Sequence, residues 1–291
     1  MSDINEHEEN GKVVNNPWRR LREFTDARIG LGRAGVSLPT KEMLAFQLSH
    51  AQARDAVHFP LDAEAICRDI KSLVGLIPNQ KTLGLHSQAV DRITYLQRPD
   101  QGRALSDESR QKLIQFMANN LDNSPTAPHA EPEYDLAIVV VDGLSSLAVQ
   151  KNAVPFIEQL SELLIAEDQP WSLSPITIVE QGRVAIGDDI GELLNARAVL
   201  VLIGERPGLS SPDSLGLYLT WNPKSGLNDA SRNCISNIRP AGLQYPEAAR
   251  RALYLLREAR RLKLSGVNLK DRTQDDVIEH HVEQKNFLLS E

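Results

Sequence analysis

The stretch VLVLI at 199–203, running straight into GERPG at 204–208, decides the fold. Five consecutive branched apolar residues bounded by turn formers predict a strand buried on both faces. Such a strand belongs to a sheet with helices on either side. A polar loop directly after it lies where open α/β sheets hold their ligands, outside the carboxyl ends of the strands. Some way downstream comes RNCISNI at 232–238, a polar string with a lone cysteine.

Outward from this strand the same grammar repeats. DLAIVVV at 135–141 reads as a second buried strand, and 144–165 as mostly helix, interrupted near Pro155. Residues 174–180 read as a strand, 188–195 as a short helix and 214–220 as a further strand. A strong helix over 246–264 turns Ala249, Ala252, Leu253, Leu256 and Ala259 inward. Its proline at the start and basic residues near the end suit the helix dipole. Strands alternating with helices predict a Rossmann-like, mainly parallel sheet.

Upstream the pattern is helical. PWRRLREFTDARIG, a helix start at Pro39 and Thr40 with Leu44, Leu48 and Ala51 at helical spacing, 61–76 and 107–121 all read this way. The fold class is therefore α/β, with a Rossmann-like mainly parallel sheet domain preceded by a smaller helical N-terminal domain. The expected organisation is a disordered polar tail over 1–16, a helical region over 17–121 and a linker over 122–133. The linker is rich in proline and small polar residues. The α/β domain covers 134–270, and a polar tail covers 271–291.

Composition narrows the class. A chain of 291 residues, 41% hydrophobic, can bury a sizeable core. No apolar run approaches the roughly 20 residues that cross a bilayer. The first 16 residues lack the basic and apolar regions of a secretion signal. A net charge of -7 argues against a broad polyanion-binding surface. Two distant cysteines, Cys67 and Cys234, make neither a CxxC motif nor a metal-ligand spacing and suit a reducing compartment.

GLGRAG at 30–35 is a literal GxGxxG. The dinucleotide reading needs a buried strand before it and a helix opening within it. Here a charged helical segment precedes it and Pro39 soon follows, so nucleotide binding is rejected in favour of a glycine-rich helix exit. A third reading lets Arg28 and Arg33 face a partner protein. Three other loops fall at predicted strand ends: Asp142-Gly143, which reads as a turn and helix cap; EQGRV at 180–184; and GERPGL. Asp188 and Asp189 read as caps for the following helix rather than metal ligands. Glu205 has three readings: pairing with Arg206, capping a turn, or accepting hydrogen bonds from a ligand. No GxSxG, HExxH or P-loop occurs, and the histidines are scattered. The residues alone describe a ligand-binding α/β domain with neither catalytic residues nor metal ligands that declare themselves.

Read together, NPWRRLREFTDARIGLGRAG (16–35), TYLQRPDQGRAL (94–105), VVVDGLSS (139–146), GRVAIGDDIGELL (182–194), LIGERPGLSSPDSL (202–215), RNCISNI (232–238) and SGVNL (265–269) resemble the small subunit of ethanolamine ammonia-lyase. The likeness runs from about residue 16 to 270. It implies an adenosylcobalamin-dependent lyase that converts ethanolamine to acetaldehyde and ammonia by radical chemistry. The implied partner is a barrel-type large subunit that carries the substrate site, contacted by the 17–121 region. The resemblance implies cofactor contacts at Val184, Glu205 and Cys234, with Cys234 on a loop, and no catalytic residue in this chain. It implies a cytoplasmic protein, either free or within a bacterial microcompartment, although residues 1–16 show no amphipathic helix for docking there. The alternative is a non-catalytic ligand-binding or adaptor module of the same fold, and a third reading is a nucleotide-dependent enzyme using GLGRAG.

Overall fold

The computed structural model describes residues 13–73, 81–120 and 133–271. The linker expected at 122–133 except Glu133, most of the 1–16 tail and the tail beyond 271 lie outside the described residues. The sheet is built from β1 (Thr82–His86), β2 (Tyr134–Val141), β3 (Ile176–Glu180), β4 (Ala196–Gly204), β5 (Leu215–Trp221) and β6 (Arg232–Ile238). Their spatial order is β1-β3-β2-β4-β5-β6. The first four run parallel, whereas β5 and β6 are antiparallel to their neighbours.

Burial on both faces explains the unbroken apolar runs. Leu136, Ile138 and Val140 of β2, with Ala198, Leu200 and Leu202 of β4, pack against α5 (Ser146–Ile165), α7 (Tyr245–Leu262) and α2 (Ala63–Ser72). The alternate set, Ala137, Val139, Val141, Val199, Val201 and Ile203, packs against α6 (Ile186–Leu193) and α4 (Asp107–Asn120). Alternation along each strand thus feeds two apolar layers, one per face. All five inward residues expected of the last helix are buried on α7.

Several expectations are corrected. The sheet is α/β but mixed, because β5 and β6 return antiparallel. The N-terminal region is not wholly helical: β1, with only Leu85 fully buried, pairs in parallel with β3 at the sheet edge. Its short TLGLH pattern carries too few apolar residues to announce a strand. The 17–23 segment is a 3₁₀ helix, not an α-helix. Pro155 lies inside α5 without ending it. Its lost amide bond is outweighed by Phe156, Ile157 and Leu160, which bind the second half of the helix into the core. RNCISNI is the edge strand β6, so Cys234 stands on a strand and not on a loop. The chain crosses from β2 through α5 to β3, then through α6 back to β4 on the other side of β2. The β2 exit leads into α5 on one face of the sheet, whereas the β4 exit turns back into β5, and the crevice beside these two exits is where a ligand seat is expected.

The Leu44/Leu48 stripe of α1 (Thr40–His58) is real as a helix signal but is not core. Both leucines are more than half exposed, and the helix buries only Glu42 and Ala56.

Candidate ligand cleft at the strand ends

The β2 and β4 exits touch through two glycines. Leu144 N donates to Gly204 O at 2.9 Å. Gly143 has φ +60, a conformation that favours glycine, and a Cβ on it would run into the Gly204 carbonyl. Ser145 caps α5 through Ala148 N and donates to Pro212 O at 2.9 Å, anchoring the loop after β4. Asp142 is not the cap expected of it. It is buried and accepts from Gln181 N at 2.9 Å and Gly182 N at 3.0 Å, fastening the β3 exit to the β2 exit. Arg92 Nη1 lies 3.7 Å from it and donates to Gly143 O at 2.8 Å. Burial pushes the Asp142 carboxyl up to about 6 in spite of these favourable partners.

The sign of that shift is unusual for a carboxylate. The folded protein binds the Asp142 proton more tightly than the unfolded chain, so stability from this group falls as pH rises from about 4 to about 6. The effect is on the order of 3 kcal/mol. Asp142→Asn is expected to remove this downward slope from unfolding free energies measured by urea titration across that range. A slope equal to that of the parent protein would contradict it.

Next to this clamp, Arg183 is held on three sides. Its amide donates to Gly102 O at 2.7 Å, its Nη2 donates to Tyr95 O at 3.1 Å, and its guanidinium lies 4.6 Å from the Tyr95 ring centre. Arg92 lies 4.7 Å from the same ring. Burial raises the Tyr95 hydroxyl to about 12. The Arg183 Nε is buried without a hydrogen-bond partner.

Tyr95, Leu144, Arg183, Val184, Ile203, Glu205 and Arg206 line a cleft of about 410 Å³ together with Tyr218. Glu205 does not pair with Arg206. Its Oε2 accepts from the Ser214 hydroxyl and from Asn237 N at 3.2 Å, while the carboxylate lies over Gly216, where a Cβ would stand 2.9 Å from Oε1. The Asn237 amide is turned there by a β-bulge: Leu215 pairs with Ile238 but Leu217 with Ile235, and Asn237 has φ +61. Cys234 pairs across the strands with Tyr218 and is exposed. Burial foremost, then the Cys234 thiol, raises the Tyr218 hydroxyl. Val184, Glu205 and Cys234 are thus gathered around one patch, with Tyr218 between cleft and thiol. Sequence reasoning missed Tyr95, Tyr218 and the orienting role of Arg92. The only signal for Tyr95 was its place in the TYLQRPDQGRAL segment.

Asp188 and Asp189 are not helix caps but ion-pair partners. Asp188 binds Arg232 of β6 at 2.6 Å, and Asp189 binds Arg110 of α4 at 3.0 Å. GLGRAG has no strand before it. Arg28, half-buried, reaches the loop after β4, donating to Leu209 O at 3.1 Å. A wider groove of about 650 Å³ runs beside Trp171, Arg257 and Arg260. Arg257 is bound to Glu167 and Arg260 to Asp135, so its cations are already engaged.

A cleft at the strand exits of a mixed sheet flanked by helices defines an α/β protein with one candidate ligand site at the carboxyl ends of its parallel strands. The sequence model of the ethanolamine ammonia-lyase light chain matches residues 15–270. The ethanolamine ammonia-lyase small subunit of Pseudomonas aeruginosa (strain UCBPP-PA14) is 54% identical over 276 residues, 94% of this chain and 95% of that one. Those of Pseudomonas fluorescens (strain Pf0-1) and Pseudomonas syringae pv. tomato (strain ATCC BAA-871 / DC3000) are each 54% identical, covering 94% and 96% of this chain and 95% and 92% of theirs. The chain belongs to the ethanolamine ammonia-lyase light chain family, and its function is that of the small subunit of this adenosylcobalamin-dependent complex.

Proposed function

We propose that this chain seats adenosylcobalamin through Val184, Glu205 and Cys234, at an interface with a large subunit that carries the substrate site for turning ethanolamine into acetaldehyde and ammonia. The observation that carries it is the shared patch: Val184 and Glu205 line one cleft, and Cys234 adjoins it through Tyr218. The residues fit the group. A corrin is broad, flat and fringed with amides, so it wants apolar contact and a few hydrogen-bonding groups. Val184 and Tyr218 offer the first. The Glu205 Oε1, which takes no part in the bonds to Ser214 and Asn237, can accept an amide N–H. When bound, the cofactor supplies a cobalt–carbon bond that cleaves homolytically. This chain's part is to bind, orient and exclude water.

The strand order around β2 and β4 supports reading residues 134–270 as a Rossmann-like unit. The 17–121 region is the large-subunit contact in this proposal. Trp18, Phe24 and Val36 are 68%, 84% and 106% exposed, and α1 leaves Leu44 and Leu48 uncovered. No described helix is long and apolar enough to cross a membrane. The cytoplasm, open or within a bacterial microcompartment, is the setting proposed from the family.

The test is ammonia release from ethanolamine by this chain co-expressed with its large subunit, with and without adenosylcobalamin, and by each subunit alone. Activity that needs both chains and the cofactor supports the proposal. A complex that fails to form favours the adaptor alternative. Glu205→Gln sharpens the assignment, because its amide oxygen can still accept from Ser214 and Asn237 while its NH₂ meets the ligand. Cofactor binding is expected to weaken about tenfold with unchanged thermal stability. An unaltered dissociation constant removes Glu205 from the cofactor seat.

A further inference from the structure

We propose that Arg183 and Arg206 form the anion-binding arm of the cleft and hold the phosphodiester of the cofactor's nucleotide tail. The inference rests on the cobalamin reading above and goes beyond it by naming which part of the ligand these residues recognise. The cleft carries two guanidiniums and one carboxylate among its lining residues. That carboxylate, Glu205, already accepts from Ser214 and Asn237, so the local balance is cationic in a chain whose net charge is -7. Arg206 is exposed and makes no bond within the described residues. Arg183 is the opposite kind of cation: its backbone amide is tied to Gly102 O, its guanidinium is held by Tyr95 O and the Tyr95 ring, and its buried Nε is unpartnered. One preorganised and one exposed, unbonded guanidinium make a clamp suited to a tetrahedral oxyanion. Cobalamin has one anionic group. Its cobalt–corrin core is cationic and its amide fringe neutral, so two arginines next to the ring have the phosphodiester as their electrostatic partner.

The test compares three ligands on the complex of this chain with its large subunit, by equilibrium binding followed in the visible spectrum. Hydroxocobalamin carries phosphodiester and base, cobinamide phosphate carries a phosphoryl group without the base, and cobinamide carries neither. Arg206→Met is the lead variant, because no bond of the fold depends on that side chain; Arg183→Met and Arg183→Lys accompany it. Each Met variant is expected to weaken hydroxocobalamin and cobinamide phosphate about 10- to 100-fold and leave cobinamide unchanged, with Arg183→Lys recovering part of the loss. Inorganic phosphate is expected to compete with hydroxocobalamin but not with cobinamide; competition against both would assign the arm to free phosphate and overturn the tail contact. Equal weakening of all three ligands, or of none, also overturns it while leaving the cobalamin reading in place. A parent complex that binds none of the three overturns the cobalamin reading itself.

Discussion

Arg232→Met is expected to cost the protein about 3–5 kcal/mol, read as a large drop in the urea midpoint. Arg232 Nη1 donates to Asp188 Oδ1 at 2.6 Å and to Thr220 Oγ1 at 3.3 Å, and Nη2 donates to Leu227 O at 3.0 Å. Both charged side chains are 2% exposed. Methionine fills similar space but strands the Asp188 carboxylate in the interior. Burial already raises that carboxyl even with Arg232 in place. In the variant the folded state binds its proton more tightly still, so the deficit is expected to shrink as pH falls. A loss below about 1 kcal/mol at neutral pH would show that the pair is replaceable. The consequence reaches the cleft. Asp188 stands four residues after Val184, and Arg232 two before Cys234, so this ion pair sets α6 and β6 in register across the ligand patch.

Gly204→Ala is the second. A Cβ there would overlap the Ser145 carbonyl oxygen and stand 2.6 Å from Asp142 O, all backbone that cannot swing aside. The β4 exit must then move off the β2 exit, breaking the Leu144–Gly204 bond and shifting Glu205. The expected cost is about 3 kcal/mol or more, because the overlap is with buried backbone and has no rotamer to relieve it. Gly84→Ala is the control: nothing lies within 4 Å of its Cβ position, and its change is expected within about 0.5 kcal/mol. The pair of unfolding curves checks both. Equal stability of the two variants would mean that the strand exits are free to part.

Much of the sheet was legible because burial on both faces writes itself into consecutive residues. VLVLI and DLAIVVV need no long-range information to be read as strands, and the inward face of α7 follows from helical spacing alone. β6 was not legible in that way. RNCISNI is an edge strand with one face largely open, so its buried Arg232, Ile235 and Ile238 are interleaved with polar residues and show no alternation. β1 was hidden for the same reason. Leu44 and Leu48 show the converse failure: helical spacing reports that a face is apolar, not which molecule covers it.

The candidate site divides likewise. Val184, Glu205 and Cys234 came from the family resemblance, which names residues without distances, and the sequence by itself determined the α/β class and the family. Only the tertiary structure decided that Asp142 ties two strand exits together, that Asp188 pairs with Arg232, and that Tyr95 braces Arg183. These partners lie tens of residues apart, and their meeting depends on strand order. Local periodicity carries burial, which is set by neighbours in the chain, whereas a polar contact between distant residues is set by packing of the whole fold.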